Sequence, residues 1–213
     1  DGIFVPLNFR YKADELRFAL QDSAPKVLFA GNRYADMTDS IREGLATSTF
    51  VDLEGQAKTN WISYQEMLAS PSSNELQPKA DGKDTTILMY TSGTTGTPKG
   101  VKLSHDSFSS YMLSNVSPAD PDSNEKNILA VPMYHIAGLQ AALAAIYGGR
   151  TLIMQSQFEP IEWMHLVQQE KANRAMMVPT MLTELLNHSD FRLYDLSSLK
   201  VITYGAAAMP EST

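Results

Sequence analysis

Residues 87–105 read Ile87-Leu-Met-Tyr-Thr-Ser-Gly-Thr-Thr-Gly-Thr-Pro-Lys-Gly-Val-Lys-Leu-Ser-His105, and the interpretation of the whole chain starts from this stretch. The apolar run over 87–90 predicts a strand, and the alternation over 101–103 predicts a second strand. The turn between them contains only glycine, hydroxylated residues, one proline and one lysine. This composition is unusual for a turn and indicates a ligand-binding role.

The composition of this turn fits a polyphosphate ligand. Glycines let a ligand approach the main chain closely, and the oxygens of a polyphosphate only accept hydrogen bonds, so they need N–H groups, hydroxyls and a cation. Lys99 supplies the cation, and Pro98 stiffens the turn before it. The residues that we expect to bind a nucleotide here are Thr91, Ser92, Gly93, Thr94, Thr95, Gly96 and Lys99.

The turn is not a Walker A loop. That motif requires G-x-x-x-x-G-K-[ST], but the sixth position counted from Gly93 is Pro98, and Lys99 is followed by Gly100. We therefore expect the loop to close as a hairpin rather than to open directly into a helix. A surface hairpin rich in glycine and threonine, without a ligand, is the simpler alternative.

The stretch resembles the signature of the adenylate-forming superfamily, which includes acyl-CoA synthetases, aryl-CoA ligases, luciferases and the adenylation domains of peptide synthetases. That signature reads Tyr-Thr-Ser-Gly-Thr-Thr-Gly-x-Pro-Lys-Gly-Val, and residues 90–101 match it throughout. The resemblance is strongest to acyl- and aryl-CoA ligases.

Length and composition set further bounds. The chain has 213 residues, 43% of them hydrophobic, which is ordinary for one large or two small globular domains. A net charge of −7 argues against a general nucleic-acid surface. Without cysteine there are no disulfides or thiolate metal sites. No stretch is long and apolar enough to span a membrane, and we expect a cytoplasmic protein.

Strands and helices alternate along most of the sequence, which predicts an α/β fold of mostly parallel sheets flanked by helices. A polar segment near residues 70–84 suggests a subdomain boundary. Strands are expected at 3–5, 26–30, 50–51, 87–90, 101–103, 128–131, 150–154, 174–178 and 199–204, and helices at 13–21, 35–46, 64–69, 105–114, 136–147, 161–170 and 181–187.

Three strand ends are candidate site positions, because ligands bind beyond the carboxyl ends of the strands in such sheets. Tyr134 and His135 follow one strand, and an imidazole there can hydrogen-bond a carboxylate or a phosphate. Val178 ends another strand. The third end begins Gly205-Ala206-Ala207, whose small side chains leave room for a flat ring. Tight packing without a ligand is the alternative for each of them.

The resemblance implies a partial N-terminal domain of a two-step ligase. A carboxylate attacks the α-phosphate of Mg·ATP, and the thiol of coenzyme A then displaces AMP. It implies that Thr91 helps to bind Mg²⁺, that Lys99 steadies the leaving group, and that His135 with Tyr134 and Val178 borders the acyl site. It also implies that Gly205, Ala206 and Ala207 face adenine.

Family members are more than twice as long, with a downstream glutamate for Mg²⁺ and a C-terminal domain that carries a catalytic lysine. We therefore expect residues 1–213 to be inactive alone. Two other interpretations stay open, namely a nucleotide-binding module without catalysis and an adenylation domain of another branch. The expected partner is a small carboxylic acid, fatty or aromatic rather than an amino acid, and the oligomeric state is not predicted.

Overall fold

A computed structural model describes residues 1–55, 60–69, 77–91, 98–119, 124–205 and 207–208. The chain divides into two compact units, residues 1–104 and residues 105–213. The boundary expected near residues 70–84 lies within the first of these ranges and stays a prediction. No helix in the described ranges is long and apolar enough to cross a bilayer.

The first unit combines a small parallel sheet with a hairpin. Strands β1, β2 and β3 form a parallel sheet in that order, whereas β4 and β5 pair with each other in antiparallel orientation. Its elements are α1 (Ala13–Ser23), β1 (Val27–Ala30), a 3-10 helix (Asn32–Tyr34), α2 (Ala35–Ile41), β2 (Thr49–Asp52), β3 (Ile62–Ser63), α3 (Tyr64–Ala69), β4 (Thr85–Thr91) and β5 (Lys99–Ser104).

Helices α1 and α2 cover one face of the three-stranded sheet. The helical spacing predicted over 13–21 is confirmed: α1 buries Leu16 and Leu20 against Phe50 of β2. The longer helix predicted over 35–46 is wrong at its end. There the N–H of Arg42 bonds the carbonyl of Asp39 instead of continuing the helix, and the chain then turns at a glycine with φ of +81°.

The hairpin predicted around the glycine-rich turn is confirmed. Residues 87 and 89 of β4 are buried, whereas the first four residues of β5 are exposed. The strand predicted over 3–5 is reduced to one parallel bridge, in which the N–H of Phe4 bonds the carbonyl of Thr86 at 2.9 Å and the N–H of Leu88 bonds the carbonyl of Phe4 at 3.0 Å. The described part of the hairpin is thus anchored through β4.

The second unit is a parallel α/β layer. Its strands are ordered β7-β6-β8-β9, and every neighbouring pair is parallel, as the alternation of elements predicts. Its elements are α4 (His105–Asn115), β6 (Lys126–Leu129), α5 (Ile136–Tyr147), β7 (Thr151–Met154), α6 (Pro160–Glu170), β8 (Arg174–Met177), α7 (Pro179–Leu186), a 3-10 helix (Phe191–Leu193) and β9 (Val201–Tyr204).

Both faces of this sheet are covered, because successive side chains of a strand point to opposite faces. Ile128 packs in a buried cluster with Trp163 of α6. Its neighbour Leu129 packs in a second cluster with Ala142 of α5. Helices therefore lie on both sides of the strands, which is a doubly wound arrangement.

The amino ends of three strands are joined by an ion-pair cluster. The carboxylate of Glu125 accepts hydrogen bonds from Nε of Arg150 at 2.6 Å and from a terminal guanidinium nitrogen of Arg174 at 2.9 Å. Burial alone would raise the pKa of Glu125, but the hydrogen bonds from both arginines outweigh it and bring the pKa below its ordinary value of 4.5. The cluster ties the starts of β6, β7 and β8 together.

Candidate active site

The neck of the predicted phosphate loop is formed by two of its expected ligand residues. Thr91 and Lys99 are directly opposite each other in the register of β4 and β5. Both side chains are exposed, and Lys99 forms no ion pair with the described residues. Ser92, Gly93, Thr94, Thr95 and Gly96, which complete the predicted site, lie outside the described residues. A hydroxyl and a cation thus stand side by side where the loop begins and ends.

Tyr90, the first residue of the signature, points into the first unit. Its hydroxyl donates a hydrogen bond to the carboxylate of Asp22 at 2.6 Å, and its ring lies edge-on to Phe18 at 6.5 Å. Burial, together with the hydrogen bond to Asp22, raises the pKa of Tyr90 from 10.0 to about 12. The tyrosine therefore anchors β4, the strand that leads into the loop, to the end of α1.

In the second unit, the carboxyl ends of β6, β8 and β9 lie at one edge of the sheet. The connection from β6 leads to β7 on one side, whereas the connection from β8 leads to β9 on the other, so the direction of the strand order switches between β6 and β8. Such a switch in strand order opens a crevice at the carboxyl ends, where α/β proteins bind ligands. Tyr134, His135, Val178 and Gly205 all follow these strands, so four predicted site residues come together at this edge.

His135 occupies the position just before α5. Its N–H bonds the carbonyl of Pro132 at 3.1 Å, and its own carbonyl accepts from Leu139 at 3.1 Å. The side chain is exposed and makes no capping hydrogen bond, and its ring lies 4.3 Å from the ring of Tyr134. Partial burial lowers the pKa of the imidazole below 6.5. This shift favours the neutral imidazole, which can donate from one nitrogen and accept at the other.

Gly138 fixes the turn that presents His135, and the sequence interpretation did not include it. A Cβ added at Gly138 would lie 2.4 Å from the carbonyl oxygen of Pro132 and 2.6 Å from that of Val131. Helix α5 can approach the loop after β6 only because this position has no side chain. The signal in the sequence was a glycine inside an otherwise apolar helical run.

Val178 and Gly205 differ in how tightly the protein packs around them. Val178 is partly buried against the α5 side of the sheet, and its carbonyl accepts a hydrogen bond from Met181 at the start of α7. At Gly205, an added Cβ would meet, among the described residues, only the terminal methyl of Met176, at 3.8 Å. The described packing therefore does not require glycine there, which leaves room for a ligand.

Ala207 lies on an open groove of about 600 Å³, while Ala206 lies outside the described residues. One side of the groove is a face of α7 and the turn after it, and the other is the segment that follows β9. The lining residues are Pro179, Thr180, Thr183, Glu184, Asn187, His188, Ala207 and Ala208. The groove adjoins the segment predicted to face adenine.

Gln155 is a further polar residue at the same sheet edge that the sequence interpretation missed. It follows β7 directly and is only 6% exposed. Its Nε2 donates to the carbonyl of Glu159 at 3.1 Å and to the carboxylate of Glu162 at 2.9 Å, which fixes the orientation of the amide. Its Oε1 has no partner within the described residues. The signal in the sequence was a polar residue directly after a predicted strand.

One oxygen donor among the described residues fits a nucleotide-bound magnesium ion. Within the described ranges, no group of three or more histidine, aspartate or glutamate side chains could hold a metal. Mg²⁺ prefers oxygen ligands and commonly shares them between a few protein groups and substrate phosphates. The exposed hydroxyl of Thr91 beside Lys99 fits that pattern.

A family model described as AMP-binding enzyme matches residues 1–213, the whole chain. The chain belongs to the AMP-binding enzyme family. Similar proteins include ones named as CoA ligases and a CoA synthase. Long-chain-fatty-acid–CoA ligase FadD13 of Mycobacterium tuberculosis is 33% identical over 99% of this chain, and indoleacetate–CoA ligase of Aromatoleum aromaticum is 29% identical over 99%. Feruloyl-CoA synthase of an Amycolatopsis species is 32% identical over 98%.

Solved structures confirm the predicted fold. The N-terminal domain of FACL13 from Mycobacterium tuberculosis superposes with a TM-score of 0.81 at 32% identity, covering 98% of this chain and 51% of that one. Anthranilate CoA ligase AuaEII, at 20% identity, has the same fold with a TM-score of 0.88 over 98% of this chain and 41% of its own. The chain spans 40–41% of the length of the three curated relatives above.

Proposed function

We propose that this chain is part of an ATP-dependent ligase that joins a carboxylic acid to coenzyme A. In the first half-reaction, a carboxylate oxygen of the acid attacks the α-phosphorus of ATP, and the bond to pyrophosphate breaks. In the second, the thiol sulfur of coenzyme A attacks the acyl carbon, and AMP leaves. The opposed pair Thr91 and Lys99 at the neck of a loop with the full family signature is the observation that carries this proposal.

The charge balance of the first half-reaction explains why these residues suit it. Four negative charges of ATP must be held near an anionic nucleophile, and fixed donors stabilise the charge that builds up on pyrophosphate as it leaves. Lys99 supplies a cation that no described carboxylate neutralises. Mg²⁺ held by phosphate oxygens and the Thr91 hydroxyl would supply further positive charge.

At the edge of the second unit, a neutral imidazole suits an acid substrate. His135 can donate a hydrogen bond to the carboxylate without being charged, and Tyr134 and Val178 supply apolar surface beside it. The unfilled space at Gly205 suits the flat face of adenine. We propose these roles for residues of the second unit, and the phosphate contacts of Thr91 and Lys99 for residues of the first unit.

Relatives named indoleacetate–CoA ligase, long-chain-fatty-acid–CoA ligase and feruloyl-CoA synthase support an apolar or aromatic acid as the substrate. A panel of fatty, aromatic and amino acids tested with the full-length enzyme decides the class. We also propose a cytoplasmic location, in keeping with a chain that has no cysteine. Imaging of the tagged full-length protein tests it.

Substitution of Lys99 in the full-length enzyme tests the proposed role of the loop. Lys99→Gln removes the cation, so we expect ATP-dependent pyrophosphate exchange to fall at least about tenfold, since a lost charge-assisted contact is worth more than about 1.4 kcal/mol. Lys102→Gln, a change of another exposed lysine on β5, is the control and should leave exchange unchanged. Unaltered exchange and ATP affinity in Lys99→Gln would contradict the proposal.

The 213-residue chain alone should give no measurable exchange. Normal turnover by this chain would show that the downstream elements of the family are not needed. If the full-length protein binds ATP but makes no product with any acid, a binding module without catalysis is the better description. Product formation with an amine acceptor instead of coenzyme A would favour another branch of the superfamily.

A further inference from the structure

An arginine–aromatic cluster in the first unit lies outside the proposed reaction. It consists of Phe9, Arg10, Arg33 and Tyr34. The guanidinium carbon of Arg10 lies 5.4 Å from the centre of the Phe9 ring, and that of Arg33 lies 5.8 Å from the same centre. Arg33 also lies 4.7 Å from the centre of the Tyr34 ring. Two cations thus share one aromatic ring.

Local structure holds both arginines in place. Arg10 lies in a turn, in which its N–H bonds the side-chain oxygen of Asn8 at 2.9 Å and the N–H of Tyr11 bonds the carbonyl of Asn8 at 3.0 Å. Arg33 belongs to the 3-10 helix that directly follows β1. It therefore stands at the carboxyl end of a parallel strand, the edge where such sheets bind ligands.

Neither guanidinium is neutralised by a carboxylate within the described residues. Arg10 and Arg33 are both exposed and form none of the ion pairs of the described chain. Glu54 is nearby, but its carboxylate accepts the N–H of Asn32 at 3.2 Å instead. Two unpaired positive charges on one ring are notable in a chain whose net charge is −7, because like charges repel at short range.

The arrangement leaves the hydrogen-bond donors free. A guanidinium stacked on an aromatic ring keeps its in-plane N–H groups available, and its geometry matches the oxygens of phosphate. The guanidinium carbons lie 5.4 Å and 5.8 Å from one ring centre, so they are at most about 11 Å apart, a span that one phosphorylated ligand with several acceptor oxygens can bridge. Stacking also restricts the side chains in advance, which lowers the entropy cost of binding.

We propose that Arg10 and Arg33, held on Phe9, bind a phosphate group of a soluble phosphorylated metabolite. The site is separate from the loop of β4 and β5, and it does not depend on the proposed ligase reaction. A phosphate dianion would relieve the repulsion between the two guanidinium groups and accept hydrogen bonds from both.

An NMR titration of the 213-residue chain tests this site. The arginine Nε–Hε signals of Arg10 and Arg33 should shift together and saturate at low-millimolar inorganic phosphate or ribose 5-phosphate. Arg10→Gln and Arg33→Gln should each weaken binding about tenfold, as expected for a charge-assisted contact worth about 1.4 kcal/mol. Arg192→Gln, which removes an exposed arginine of the second unit, should have no effect.

Three results would overturn the proposal. One is a response of Arg10 and Arg33 that is linear and equal to that of Arg192, which would mean unspecific ion binding. Another is an equal response to sodium acetate, which would remove the assignment to phosphate. The third is a response to phosphatidylglycerol vesicles without any response to free phosphate, which would identify a lipid headgroup as the source. A circular dichroism spectrum of each variant checks that it is folded.

Discussion

At the scale of single residues, the signature tyrosine illustrates how a motif can combine two roles. Tyr90 lies within the family signature, yet its side chain turns away from the loop and bonds Asp22 in the first unit. The conformation of the neighbouring Thr91 therefore depends on the contact between Tyr90 and Asp22, although neither of these was predicted to bind a ligand.

We expect Tyr90→Phe to lower the free energy of unfolding by about 1.5–3 kcal/mol at pH 7, because a partly buried hydrogen bond to a carboxylate is lost. The folded-state pKa of about 12 lies above the unfolded value of 10.0. The stabilisation is therefore fully present below pH 10 and is lost as the pH rises through 12. Urea unfolding at several pH values measures it, and the difference from wild type should shrink above pH 10.

Tyr111→Phe is the matched control, since Tyr111 is 39% exposed and its hydroxyl forms no hydrogen bond with the described residues. It should change stability by less than about 0.5 kcal/mol. An equally small effect of Tyr90→Phe would mean that the contact with Asp22 does not hold β4 in solution.

At the scale of elements, the position of helix α5 depends on Gly138. Gly138→Ala places a methyl group against backbone oxygens at 2.4–2.6 Å. Helix and loop must then separate, so we expect a loss of about 1–3 kcal/mol of stability. Gly205→Ala makes the same chemical change where only a contact at 3.8 Å results, and stability should stay within about 0.5 kcal/mol. Thermal unfolding of both variants measures the contrast, and equal melting temperatures would contradict it.

The ion-pair cluster of Glu125, Arg150 and Arg174 joins the starts of three strands. Glu125→Gln weakens the bonds to Arg150 and Arg174, and we expect a loss of about 1 kcal/mol at pH 7, since these side chains are partly exposed. The pKa of Glu125 is lowered in the folded state, so its stabilisation is present above pH 4.5 and is lost as the pH falls below that value.

Denaturant titrations at pH 7 and pH 3 test this sign. The gap between wild type and Glu125→Gln should be larger at pH 7, whereas Glu184→Gln, a change of an exposed glutamate on α7, should give no gap at either pH. A gap that grows on acidification would show that the cluster does not stabilise the sheet through charge.

At the scale of the whole molecule, β9 leaves apolar surface exposed. It lies at the end of the strand order, and Val201, Ile202 and Tyr204 are 37%, 42% and 56% exposed. Exposed edge strands pair with other chains, so we expect the 213-residue chain to associate with rising concentration. Ile202→Lys should reduce association in light-scattering measurements, whereas Leu113→Lys on α4 should not. A chain that stays monomeric at all concentrations would contradict this.

Most of the fold could be predicted from the sequence, because α/β layers repeat one simple pattern. Helix α5 was predicted at the residues where it occurs, since a long apolar run between polar segments is typical of a buried helix. The end of α2 and the two-residue strand β3 could not be predicted, because turns and tertiary contacts override local spacing there.

The candidate site was predictable where the chemistry lies in one continuous motif. The pairing of Thr91 with Lys99 follows once a hairpin is assumed. Gln155 and Gly138 were missed for a common reason: their roles depend on how the adjoining loop and helix fold against them, which residue spacing alone does not show. The unpartnered amide oxygen of Gln155 and the close approach of backbone oxygens to Gly138 can be recognised only in the folded structure.

The register of β4 with β5 limits how the motif can vary in evolution. Thr91 faces Lys99 only if the number of intervening residues stays constant. One inserted residue would move Lys99 out of place or turn the side chains of β5 to the opposite face. Natural relatives should thus tolerate exchanges of one small residue for another within the turn much more readily than insertions or deletions there.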